Sequence, residues 1–429
     1  MTRARVAAFT PGPPSTRGGA AYAGALLPAL ARHLDVVAVA PGRFDWDGPT
    51  VAVNDRRPPD ADVLLHFVAD DPDHAFAYRA ALRWGGMVVC HELQVPHLLG
   101  TLGPDEAHAD LAAALGPDQA AAVRDRRAAG VATHAEAYLL VAVNRAVRAA
   151  EAVVVHSRFA EFAVGAEVPA TPVFRVPTHG GAVPPGVPDR AEARRRLDLP
   201  AGAFLVGLFG YLGGHKRVDV ALRAVADARA ASRGRHLDVR PVVVGTAVAT
   251  DLHAALAAAG LADVAVVRPA PDDDGFFAHL AAVDVLVNLR HPTLGETSAT
   301  TAQAMRLGTP VITTDHAQFA EEVAAVRVAP GGDEVAGVAR ALLTLAGCGR
   351  CRSRLAEAGR RRARAQDVER AALAYAGAVE ATLARRAARG AGAGPPGSGR
   401  PGGRPHQGTG PPGGPLGHRA GLGEPPRQA

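Results

Sequence analysis

Three cysteines in 429 residues cannot form a disulfide framework, and that scarcity suits a reducing, cytoplasmic setting. No uninterrupted apolar run approaches the ~18 residues needed to span a bilayer, which argues against a transmembrane segment. Met1-Thr-Arg-Ala-Arg5 precedes only five residues before Pro11, too few for the apolar core of a signal peptide, so no secretory signal is expected. Charge of one sign is also lacking. Lys+Arg is 47 and Asp+Glu is 42, a net +5. Four Arg and one Glu between 390 and 429 supply three of those charges, leaving the rest of the chain nearly neutral. That balance argues against a nucleic-acid-binding body, which should carry a concentrated basic face. The scarcest residue is lysine: Lys216 stands alone. Abundant Ala, Arg, Gly and Pro beside a single Lys reads as GC-rich coding and points to a bacterial source.

What is present is a 48% apolar chain, long enough to bury the cores of two domains. Apolar, β-branched runs alternate with Ala/Leu/Arg stretches of helical character. The runs predict strands at Arg5–Thr10, Asp35–Ala40, Asp62–Val68, Met87–His91, Ala152–His156 and Val173–Val176. A second set follows at Phe204–Phe209, Arg240–Gly245, Val264–Val267, Asp284–Asn288, Pro310–Thr313 and Val326–Val328. Helical patterns lie between them, as at Tyr22–His33, Val218–Ala231 and Thr300–Leu307. Continuous rather than alternating apolarity means both strand faces are covered, as in parallel sheets with crossover helices.

Four Pro and three Gly in Pro177–Pro188 break this rhythm. Two α/β halves are therefore expected, 1–180 and 185–365, followed by a terminal helix at 366–388. From 390 to 429 the chain holds 14 Gly and nine Pro, too little apolar matter to order itself, and a disordered tail is expected. Ligands of doubly wound sheets sit beyond the strand carboxyl ends, near helix N-termini.

Four stretches after strands carry candidate chemistry. Gly18-Gly19 opens a helix after the first strand and lets backbone N–H groups approach an anion. It is not a G-x-G-x-x-G, so a dinucleotide fingerprint is absent. His91 ends another strand, within Cys90-His-Glu-Leu-Gln-Val-Pro-His97, where an imidazole can bond a sugar hydroxyl or a developing charge. Asp70-Asp-Pro-Asp-His74 opens a helix with residues that cap equally well. The third is Phe209-Gly-Tyr-Leu-Gly-Gly-His-Lys216, a strand running into a Gly-rich turn. Its amides and Lys216 can cradle a diphosphate. The spacing departs from a P-loop, and no Ser or Thr follows Lys216, so ATP hydrolysis is not indicated. Fourth, Pro292-Thr-Leu-Gly-Glu-Thr-Ser298 sets Glu296 before a helix and offers the N–H groups of Thr297 and Ser298 to phosphate oxygens.

Together with Leu26–Leu30, Val153–Phe159, Val176–Gly180, Gly308–Asp315 and Glu321, these stretches resemble the retaining GT-B glycosyltransferases of family four, the glycosyl transferases group 1. The resemblance covers roughly 5–365. It implies an α/β, GT-B fold: two Rossmann-like, doubly wound parallel-sheet domains facing a cleft, the first for the acceptor and the second for the donor. It implies transfer of a sugar from a nucleotide-diphosphate sugar with retention, without a metal or a cofactor beyond that co-substrate. In that reading Lys216 neutralises the diphosphate, with Gly18, Gly19, Thr297 and Ser298 donating amides. Glu296 holds the donor sugar, Gln303 lies near the ribose, and His91 reaches the transferred sugar or the acceptor. The partners are a nucleotide sugar and an unnamed acceptor, with no nucleic acid and at most peripheral membrane contact.

The match has departures. The family's two glutamates, separated by seven residues, fall on Gly295 and Gln303, with Glu296 displaced by one. An arginine common five residues before the lysine is Tyr211 here, which leaves Arg217 or another arginine to supply that charge. His91-Glu92 replaces a commoner His-Asp. Two alternatives stay open: a non-catalytic nucleotide-sugar or partner-binding protein on this scaffold, and a nucleotide-sugar epimerase. Asp45-Trp-Asp47 and Asp272-Asp-Asp274 spell a metal-holding pattern but read as loop turns. Cys348-Gly-Arg-Cys351 has no second pair to complete a zinc site. The basic helix at Pro117–Ala129 reads as a solvated face, its arginines offset by Asp118 and Asp125.

Overall fold

The computed structural model describes residues 3–13, 15, 18–53, 60–131, 138, 143–181, 183–234, 237–248, 251–269 and 272–392. Met1–Arg385 is one compact unit. Among the described residues thirteen strands form two sheets, and every pairing is parallel. The first sheet contains β1 (Arg5–Phe9), β2 (Asp35–Ala40), β3 (Thr50–Ala52), β4 (Val63–Val68), β5 (Met87–Cys90), β6 (Ala152–Val155) and β7 (Val173–Arg175). Its order is β3-β2-β1-β4-β5-β6-β7. The second contains β8 (Phe204–Leu212), β9 (Val239–Ala247), β10 (Val266–Arg268), β11 (Val285–Asn288), β12 (Val311–Thr314) and β13 (Val326–Val328), in the order β10-β9-β8-β11-β12-β13. Each sheet reverses direction beside its first strand, so both are doubly wound. All twelve predicted strands form. The one the apolar pattern missed is β3, three residues at a sheet edge with little burial to mark it.

Crossover helices cover both faces, which is why the inner strands are apolar throughout. All six residues of β4 are buried, His66 included. Its Nε2 donates to Gly85 O at 2.8 Å. Burial holds its pKa at about 4, so the ring stays neutral within the core. In the second half, buried Asp284 accepts from Arg194 at 2.6 Å, from Leu205 N at 2.8 Å and from Arg190 at 3.2 Å. The node pins the helix Arg190–Arg196 to the amino end of β8.

The Pro-rich segment 177–188 carries the chain between the sheets. The last described helix, Val368–Gly392, returns to the first half, where Ala372, Tyr375 and Val379 join the core of β1, β2 and the helix Gly18–Leu30. The tail expected from 390 onward lies, past 392, outside the described residues. Cys348 caps the helix Gly349–Ala365 and is bonded to Cys351, Cα to Cα 5.2 Å. One helical turn brings a C-x-x-C pair within bonding range, a pairing that cysteine scarcity gave no reason to expect. Asp272 caps the helix Asp273–Ala282 through Gly275 N at 2.8 Å. Asp45 pairs with Arg43.

Candidate active site

The carboxyl ends of the two sheets meet. Leu93 N, beyond β5, donates to Leu294 O, beyond β11, at 2.8 Å. The Thr178 and Thr297 hydroxyls lie 2.6 Å apart. Glu321 accepts from Arg158 N at 3.0 Å and Phe159 N at 2.8 Å, so a carboxylate of the second half caps a helix of the first. A cavity of about 60 Å³ sits along this seam, lined by His156, Thr178, Thr297, Ser298, Gln318 and Glu322 among others.

In the second half, two glycines shape the end of β8. Gly210 has φ +97° and Gly245 has φ +144°. A Cβ on Gly245 would lie 2.0 Å from Gly210 O, so only glycine lets β8 and β9 run this close. A Cβ on Gly210 would lie 2.9 Å from Lys216 Nζ. The lysine folds back over the strand through the 3₁₀ turn Gly214–Lys216, its Nζ 3.4 Å from Phe209 O. No carboxylate lies within 4.0 Å of it among the described residues. Burial holds Lys216 well below the ordinary lysine range; Arg290 pushes the same way and Glu296 opposes.

Arg290 is the residue sequence reasoning missed. It is 6% exposed and follows β11 by two residues. Its Nη1 donates to Asn288 Oδ1 at 2.7 Å and Leu289 O at 2.9 Å. Its Nε is buried, makes no hydrogen bond, and lies 3.6 Å from Glu296 Oε1. The other places considered for this charge are filled otherwise. Tyr211 points to solvent, 59% exposed. Arg217 is bound to the buried Glu334 at 2.6 and 3.1 Å. The available signal was an arginine two residues past a fully apolar strand, just where ligand-facing loops begin.

Glu296 is held by its own loop. Its Oε2 accepts from Thr293 Oγ1 at 2.7 Å and Leu294 N at 2.8 Å, while buried Oε1 has no hydrogen bond. Gln318 Nε2 braces the loop through Thr293 Oγ1 and Glu296 O, both at 2.6 Å. The one-residue displacement of this glutamate has a steric cause. Gly295 has φ +89°, and a Cβ there would lie 2.6 Å from Leu93 Cγ of the first half. A side chain at 295 would collide with the opposite wall, so the carboxylate stands at 296.

Ser298 caps the helix Ala299–Leu307 through Thr301 N at 3.2 Å and accepts from Asn288 Nδ2 at 2.7 Å. Its side chain is therefore structural, and Thr297 Oγ1 is engaged with Thr178. Gln303 lies on the same helix, where a Cβ on Gly180 would sit 3.1 Å from its backbone N.

In the first half, Gly18 and Gly19 begin the helix Gly18–Leu30. Gly19 admits the His74 ring: a Cβ there would lie 2.2 Å from His74 Nε2. His91 Nδ1 is 3.0 Å from His156 Nε2, and His156 Nδ1 is 2.8 Å from Val176 O. Tyr22 packs edge-on to His91, with centroids 4.9 Å apart, and stacks on His179 at 4.1 Å. Glu92 Oε2 accepts from Asp70 N at 3.0 Å. Burial raises its pKa to about 8, helped by Asp70 and, across the seam, Glu296. The structure thus gathers Lys216, Arg290 and Glu296 in one group, with Glu92 acting on Glu296 from the opposite wall, while His91 lies with Tyr22, His74 and His156 inside the first half. Gly18 and Gly19 stay with the first half, against His74.

Residues 203–347 match the family described as Glycosyl transferases group 1. No curated protein sequence matches the chain. Among solved structures, sucrose-phosphate synthase from Thermosynechococcus elongatus superposes with TM-score 0.59 at 16% identity, over 90% of this chain and all of that one. WaaG, a glycosyltransferase involved in lipopolysaccharide biosynthesis, gives 0.57 at 14%, over 87% and 99%. Anabaena HepE, solved with UDP-glucose, gives 0.56 at 16%, over 90% and 99%.

Proposed function

From the chain's GT-B fold and a second half that matches the glycosyl transferases group 1, we propose that this protein is a retaining glycosyltransferase. It moves a sugar from a nucleoside-diphosphate sugar to an acceptor. One observation carries the reading. The chain's single lysine is half-buried beyond a strand carboxyl end; among the described residues no carboxylate lies within 4.0 Å of it and Glu296 acts on it only from further off, so a ligand anion is left to pair with it directly. A nucleoside diphosphate supplies that anion. The HepE complexes with UDP and with UDP-glucose support this donor class by analogy of fold.

In this reading Lys216 is a point charge on the diphosphate, and Arg290 Nε, beside Glu296, is a second donor at the same place. The leaving diphosphate gains charge in the transition state, so fixed cations that need no reorganisation lower the barrier most. Lys216 and Arg290 fill the place a divalent metal takes in metal-using transferases. Glu296 offers Oε1 to the donor sugar, with Thr297 and Ser298 amides near the phosphates and Gln303 toward the ribose. His91 reaches the transferred sugar or the acceptor from the first half. Gly18 and Gly19 amides approach the diphosphate from the same side. The acceptor is a hydroxyl compound entering between the halves.

The test is turnover. The protein is incubated with UDP-, GDP-, ADP- and dTDP-sugars, and nucleotide release and product configuration are followed by NMR. One donor should release its nucleoside diphosphate with retention at the anomeric carbon. Binding without turnover across a broad acceptor set would make it a non-catalytic nucleotide-sugar protein. Isomerised sugar without an acceptor would make it an epimerase.

A further inference from the structure

The hydrogen-bond chain behind His91 runs in one direction only. Val176 O can only accept, so His156 carries its proton on Nδ1. Neutral His156 then presents a lone pair at Nε2. His91 Nδ1, 3.0 Å away, must be the donor to it. Neutral His91 is left with a lone pair on Nε2, a buried atom with no hydrogen-bond partner among the described residues. Both rings are neutral because burial holds their pKa values low, and His156, His74 and His179 push His91 further down.

We propose that His156 is a positioning residue: it locks His91 in the Nδ1–H tautomer, so that His91 Nε2 accepts a hydrogen bond from a hydroxyl of the bound ligand. The identity of that ligand as a sugar rests on the glycosyl-transfer reading; the tautomer does not. A lone pair repels phosphate oxygens and accepts hydroxyls. His91 therefore reads the sugar or the acceptor and leaves the diphosphate to Lys216. The surroundings hold the ring. Tyr22 lies edge-on against it, stacks on His179 behind, and is tied through its hydroxyl to Tyr375 at 3.0 Å. An unconstrained histidine in water favours the opposite tautomer, so the arrangement has a measurable signature.

The experiment is ¹⁵N NMR of the full chain with labelled imidazoles, the His91 signals being identified by their loss in His91→Gln. Wild type should show the proton on Nδ1 and a bare Nε2. In His156→Phe the proton should move to Nε2, and kcat/KM for the nucleotide sugar should fall about tenfold, the worth of one such hydrogen bond. Affinity for the bare nucleoside diphosphate should stay within about twofold. His156→Gln, which keeps an acceptor near the Nε2 position, should restore the wild-type tautomer. UDP-glucose should shift the His91 Nε2 resonance, and UDP should not. A wild-type His91 protonated on Nε2 overturns the proposal, and that spectrum decides the matter even if His156→Phe does not fold. An unchanged tautomer in folded His156→Phe overturns the role of His156. The expected spectrum with no turnover of any donor supports the lock and overturns the transfer reading instead.

Discussion

Replacing Gly295 by alanine tests why the carboxylate stands at 296. Two costs follow from the geometry. A non-glycine residue at φ +89° pays about 1–2 kcal/mol in backbone strain. A Cβ 2.6 Å from Leu93 Cγ and 2.9 Å from its Cδ1 forces an overlap worth about 1–3 kcal/mol. Gly295→Ala should therefore destabilise by roughly 2–5 kcal/mol. Leu93→Ala removes both of the colliding atoms. In that background Gly295→Ala should cost only the backbone share, about 1–2 kcal/mol. The coupling between the two sites is then about 1–3 kcal/mol, in the direction of mutual relief. The assay is urea unfolding of the four proteins by far-ultraviolet circular dichroism. A Gly295→Ala variant as stable as wild type, or one equally destabilised in both backgrounds, would refute the reasoning. The same geometry makes Gly295→Glu, which restores the commoner family pattern, an inactive protein.

Three further outcomes follow. Lys216→Met should raise stability at neutral pH: a lysine whose folded pKa lies below its unfolded ~10.4 weakens the fold wherever the unfolded chain holds the extra proton. Wild type should gain on the variant as pH climbs toward ~10.4, which thermal melts against pH will show. Glu92 has the opposite sign of linkage. Its folded pKa of about 8 lies above the unfolded value of 4.5, so wild type should lose stability relative to Glu92→Gln between those pH values. Asp284→Ala leaves Arg194, 6% exposed, without its partner, and should cost about 3–5 kcal/mol in denaturant unfolding.

The two-sheet fold was legible because parallel strands covered on both faces are apolar along their length. Only β3, a three-residue edge, lacked that mark. Lys216 and Glu296 were legible as chemistry in loops after strands, and both lie in the site group. Arg290 was not, because one arginine among many carries no local pattern; only the fold shows it buried beside Lys216. His156 and His179 stood in view within the strand and the Pro-rich segment. Their meaning depends on Tyr22 and His91, far away in sequence, and no spacing rule links them. The place of Glu296 depends likewise on Leu93, two hundred residues earlier on the opposite wall.

The most direct measurement is titration calorimetry of wild type and Lys216→Met with UDP, GDP, ADP and dTDP, in two buffers of different ionisation enthalpy. If Lys216 neutralises the donor diphosphate, one nucleotide binds wild type with uptake of a proton, because the phosphates restore the charge that burial suppresses. The same nucleotide should bind Lys216→Met about a hundredfold more weakly, the loss of a charge-assisted contact of ~3 kcal/mol, and without proton uptake. Equal affinity in the two proteins, or binding without proton uptake in wild type, would contradict the assignment of Lys216 and with it the central claim.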